Sequence, residues 1–241
     1  MVTILSISIN ISVLIETAPE AANLSILDTI SMQLGGGSIS AITLTFPIIP
    51  LFCFLILNII SYDDSKQVIT RTTKRKDLWI RQVKLVTIIS IIYSVIIVGI
   101  SYIIGGTILG NFTNRWTEDR GYIFEILSNQ GNWMEIKRFL TTPVILIFIL
   151  LSLILGLILI GIITLILKLK LKSIFAFFTV IAIVLLDVLI DNFSYILKNM
   201  YISIENLMYP KSIVFQEVFM LIGIIFLYKI GKSLVENKDF I

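Results

Sequence analysis

Three acids stand where acids are costly. Asp187 and Asp191 lie four residues apart within the apolar stretch 174–193, hence on one face if that stretch is a helix, and Glu217 sits about a turn and a half into the apolar stretch 213–230. A charge at the centre of a bilayer costs roughly 2.5 to 3.5 kcal/mol on insertion scales, and less toward the interface. Such acids therefore face a hydrated path, a seam between helices or subunits, or the interface itself. In the first cases Asp187, Asp191 and Glu217 line the outer part of a translocation path that favours cations; in the last they are hydrated outer-end acids. Asp187, about fourteen residues from the opposite end of its segment, is the most committed of the three.

Other chemistry is excluded by what the chain lacks. It contains no histidine, the usual general base and commonest metal ligand, and its single cysteine, Cys53, allows neither an internal disulfide nor a cysteine metal cluster. The one echo of a phosphate-binding loop is Gly231, Lys232 and Ser233. Phe226 occupies the position of its first required glycine, and the motif follows an apolar helix instead of opening one. We expect no enzyme here, and any ATP and Mg to be bound by a separate polypeptide.

The elements that carry these acids are set by composition. Of 241 residues 57% are hydrophobic and only 15% charged, with a mean hydropathy of +0.99, far from the roughly 25% charged share of soluble domains. Apolar runs this long satisfy their backbone groups in hydrocarbon only as helices, so the fold class is an all-α integral membrane protein forming a single domain. Spans are expected at about 41–61, 85–105, 143–167, 174–193 and 213–230. The stretch 1–15 is a short first span or, failing that, an amphipathic outward-facing segment. Pro47 and Pro50 should kink the second span, and Gly106 and Gly110 make a notch for helix packing at the end of the third.

Orientation follows from Lys and Arg. Lys66, Arg71, Lys74, Arg75, Lys76, Arg81 and Lys84 lie between the second and third spans, Lys168, Lys170 and Lys172 in the next loop on that side, and Lys229, Lys232 and Lys238 in the tail. Those regions should face the cytoplasm, as should the C-terminus. Residues 16–40, with Glu16, Glu20 and Asp28 and no base, should lie outside with 111–142 and 194–212. The clustering of charge suits membrane topology and argues against nucleic acid.

The stretch ITRTTKRKDLWIRQ, residues 69–82, holds five bases in fourteen positions. As pure topology it is a positive-inside loop with Trp79 in the aromatic belt. Its pattern carries a second reading: Val68, Ile69, Leu78, Trp79 and Val83 can share one face of a helix broken near Thr72 and Thr73, with bases opposite, as an amphipathic element that seats in a partner's groove.

Six spans in about 240 residues, a polar outer loop after a weak first helix, and YDDSKQVITRTTKRKDLWIRQVK between the second and third spans resemble the ABC-2 type membrane subunits of bacterial ABC transporters. The order of Asp63 and Asp64, then Arg71, Lys74, Arg75 and Lys76, then Asp77, Leu78 and Trp79 matches the family's acidic, basic and amphipathic succession. The likeness spans nearly the whole chain, but it is architectural and its motif loose. It implies a coupling helix at about 64–80 seated on cytoplasmic ABC ATPase subunits, a second copy or a homologous permease as partner, and location in the bacterial cell membrane. It also implies outer re-entrant helices near 194–212, ended by Pro210, and export of a peptide or amphiphilic compound. Family members begin with a basic amphipathic helix that has no counterpart before Met1, so either that element is dispensable or the native start lies upstream. The competing class is a stand-alone membrane immunity or sensor protein without an ATPase.

Overall fold

The structure, a computed structural model, describes residues 2–17, 24–31, 37–63, 75–118, 123–124, 133–189, 196–203, 206–207 and 209–236. Among them every regular element is helical, apart from an isolated bridge between Ser31 and Ile39. Four helices are long and apolar enough to cross a membrane, at Ala41–Tyr62, Lys76–Leu109, Thr142–Lys170 and Lys211–Glu236, which suggests a membrane protein. Two shorter apolar helices accompany them, at Thr3–Leu14 and Ser173–Leu189.

In chain order the elements are α1 (Val2–Thr17), a short α2 (Ile26–Ile30), α3 running through Ala41–Thr43, Leu44–Ile48 and Ile49–Asp63, α4 (Arg75–Leu109), α5 (Trp133–Phe139), α6 (Thr142–Lys170), α7 (Ser173–Leu189) and α8 (Pro210–Glu236). The 29-residue α6 is the most apolar of the long helices and the most buried. It packs against α8, α4, α3 and α7, so it is the hub of the fold. By contrast α4 and α8 leave most of their apolar surface exposed, with Ile92, Ile103, Phe215 and Phe226 among the open side chains. Such surface is stable only against lipid or another protein.

Local sequence explains the irregularities. The expected kink in α3 takes the form of a π turn over Leu44–Ile48 with Pro47 inside it, where the Ile49 N–H reaches Leu44 O. A proline ring collides with the carbonyl four residues back and offers no N–H, and widening one turn relieves both problems. Tyr93 of α4 donates its hydroxyl to Ile48 O at 3.1 Å and so pins the widened turn. Pro210 opens α8 instead of closing the preceding segment, because its missing N–H and fixed φ suit a first helical position. The notch at the end of α4 lies at Gly105, covered by Ile26 and Thr29 of α2, and at Gly106, covered by Phe112; Gly110, at φ +68°, ends the helix.

Of the expected coupling segment 64–80, residues 75–80 are the first turns of the continuous 35-residue α4, and 64–74 lie outside the described residues. The expected break near Thr72 and Thr73, like Asp64, Arg71, Lys74 and Asp191, lies outside the described residues. Of 194–212, the described residues 196–200 form bends and turns and residues 206–207 are helical, while the rest of the expected re-entrant element before Tyr209 is irregular or lies outside the described residues.

Candidate functional site

Most of the described bases gather at one end of the bundle. Trp79 of α4 packs on Gly231 of α8, with its ring centroid 6.2 Å from that of Tyr228. This brings Lys76, Arg81 and Lys84 to the end that holds Lys229 and Lys232. Lys168 and Lys170 fall in the last turn of α6, and a Ser61 to Ser173 contact of 3.2 Å joins the end of α3 to the start of α7 beside Lys172. A basic end of this kind is what the positive-inside rule expects of a cytoplasmic face.

Here the structure divides the basic stretch. Lys76 and Asp77 are exposed, whereas Leu78 is buried and Trp79 wholly so. Of the apolar pair that could have docked a partner, Trp79 instead packs against α8. Its indole N–H, buried, has no acceptor among the described residues. Asp77, Arg81, Lys84 and Leu85 line an open groove on α4, at spacings that put them on one face of the helix.

The acids behave differently from one another. Asp187, half-buried, accepts the backbone N–H of Leu197 at 2.8 Å and that of Ile196 at 3.2 Å, so it fixes the turn that follows the end of α7. Met200 of that turn covers Gly156 on α6. Glu217 is buried inside α8 and accepts a hydrogen bond from Ser152 of α6, while its second oxygen has no partner among the described residues. Ser152 and Gly156 are one turn apart on the same face of α6. The structure therefore brings Asp187 and Glu217 to neighbouring levels of the hub helix through different intermediaries, without a shared hydrogen-bond partner in the described residues.

A further acid, marked by the sequence only as an outer-side charge, is the most enclosed among the described residues. Asp28 in α2 is fully buried; its Oδ1 accepts the Trp116 indole N–H at 2.7 Å and its Oδ2 the Ser25 N–H at 2.8 Å. Ser25 closes a capping box at the start of α2 and also accepts the Arg115 N–H at 3.1 Å. Asn114 extends the network by accepting the Trp116 N–H at 2.9 Å and donating to Leu140 O at 2.8 Å. The result is a polar plug of residues 24–31 and 113–116 lodged at the end of α4 and tied to the start of α6. Burial pushes the Asp28 carboxyl up to about 7, against the opposing pull of the Ser25 and Trp116 donors. Ser25 and Asp28, spaced as a capping box, were the available sign; the Trp116 partner, 88 positions away, had none.

No group of three or more metal-ligating side chains occurs among the described residues. Fold and site together define a helical protein with a basic end, a buried polar plug at the other, and a lone carboxyl at the crossing of two long helices. Compared with models of known families, with curated proteins and with solved structures, the chain matches none.

Proposed function

We propose that the chain is the membrane-spanning subunit of an ATP-driven ABC exporter of the bacterial cell membrane, moving a peptide or amphiphilic compound outward. In this reading α1 and α7 complete a set of six spans. At 16 and 17 residues they measure about 24 and 26 Å, short of a core of roughly 30 Å, a mismatch that local thinning accommodates. ATP and Mg act in cytoplasmic ABC ATPase subunits, and two copies, or this chain and a homologous permease, form the path.

The observation that carries the reading is the junction of Trp79 with Gly231. At 35 residues α4 is about 52 Å long, so it reaches well beyond the hydrocarbon. Lys76 and Asp77 at the foot of α4, together with the bases and acid assigned from sequence (Asp64, Arg71, Lys74 and Arg75), are the surface an ATPase would push, and the push moves α4 and α8 together through the buried Trp79. Leu78 and Trp79 are thus positioning residues for coupling, and the bases before them are the contact surface. We assign Asp187, Asp191 and Glu217 to the outer part of that path, where they would favour cationic cargo.

The test is co-purification in mild detergent of the full chain with ATPases from its own cell, beside an Arg71→Glu, Arg75→Glu variant. An ATPase that accompanies the parent protein and is lost from a normally inserted variant supports the proposal. Absence of an ATPase from both samples sinks it and moves the stand-alone immunity or sensor protein ahead, with the basic stretch reduced to topology.

A further inference from the structure

At the end of the bundle opposite the bases, α6 and α8 diverge around a cavity of about 100 Å³ lined by Leu140, Val144, Ile145, Phe148, Ile213 and Val214, with Phe139 and Lys211 at its margin. Compact small-molecule pockets run to roughly 300 to 1,000 Å³, so this groove takes a slender apolar chain and little else. Its walls are almost wholly apolar, and such a space does not hold water stably. Lys211 is exposed and has no ion-pair partner among the described residues, and Arg138, next to Phe139, is exposed as well. Lys211 lines the groove in the first turn of α8, and Arg138 precedes the lining residue Phe139 four positions before α6 begins at Thr142, at the level where apolar helices meet head groups. The short α5 fits that level too: Met134 is open, and Lys137 sits 5.9 Å above the Trp133 ring.

We propose that this groove is a binding site for one anionic phospholipid, with an acyl chain between Val144 and Val214 and its phosphate held by Lys211 and Arg138. Charge complementarity selects the head group, and the narrow apolar walls select a chain over a folded peptide segment. The proposal needs only that α6 and α8 span a membrane, and it is independent of ATPase coupling.

The full chain is reconstituted in an equimolar mixture of phosphatidylglycerol and phosphatidylcholine, extracted gently, and weighed by native mass spectrometry with its retained lipid. One lysine near an anionic surface corresponds to about a fivefold preference. The parent protein should retain phosphatidylglycerol over phosphatidylcholine by at least that factor, and Lys211→Gln should lower the ratio about fivefold. Val144→Trp, which fills the groove, should lower retention of both lipids. Equal retention by the parent protein, an unchanged preference in Lys211→Gln, or a groove occupied by a non-lipid amphiphile would overturn the proposal. Lys211 is at the surface, so that variant decides the matter even if Val144→Trp fails to fold.

Discussion

The indole of Trp79 lies so close to Gly231 that a Cβ on the glycine would penetrate the ring. Two residues 152 positions apart in sequence therefore meet through the absence of one side chain, and the contact tolerates no enlargement. Gly231→Val should separate α4 from α8 and destabilise the protein by about 1 to 3 kcal/mol, and Trp79→Ala, which leaves a cavity, by about 3 to 5 kcal/mol. Thermal unfolding in detergent measures both. A Gly231→Val protein as stable as the parent would show that the clamp is absent.

Asp28 predicts the pH dependence of stability. Its native carboxyl titrates near 7, whereas an unfolded aspartate titrates near 3.8. Between those values the folded chain holds a proton that the unfolded chain has released, so stability falls as pH rises from about 4 to about 7 and levels off above. The contribution is on the order of a few kcal/mol. The neighbouring Arg115 and Glu118 do not share this burial. The melting temperature should be higher at pH 5 than at pH 8, and Asp28→Asn should flatten that difference; an equal slope in the variant would remove Asp28 as its source.

Why some of this was legible in sequence and some was not comes down to range. Charge-free runs of twenty or more residues in α3, α4 and α6 require helices wherever they pack, and those helices are present; α3 and α6 end within a few residues of their expected bounds, whereas α4 starts at Arg75, ten residues before the expected 85. Trp79 was legible as the apolar side of an amphipathic stretch. Which surface it covers was not, because hydrophobicity is non-directional and Gly231 carries no pattern of its own. The plug is harder still, since Asp28 and Trp116 become partners only when the turn after α4 folds back over α2.

Asp187 tests whether an acid in an apolar helix is structural. Asp187→Ala leaves the Ile196 and Leu197 N–H groups without their acceptor and should cost about 1 to 3 kcal/mol, while Asp187→Asn keeps an acceptor oxygen and should cost less. The two variants are compared by thermal unfolding. Equal losses would mean that the negative charge, not the cap on the turn, is what the fold uses.

Glu217 calls for the opposite comparison. Its only described partner is the neutral Ser152 hydroxyl, so Glu217→Gln retains an acceptor for that bond and relieves the cost of enclosing a charge. Stability should be unchanged or slightly raised. If Glu217 lines the path, the same variant should depress transport of cationic cargo by about tenfold, the equivalent of roughly 1.4 kcal/mol, and spare neutral cargo. Efflux from vesicles loaded with one of each kind separates the two effects. Unchanged cation efflux from a normally folded Glu217→Gln protein would leave Glu217 as a packing residue of the α6 and α8 crossing and place the path elsewhere.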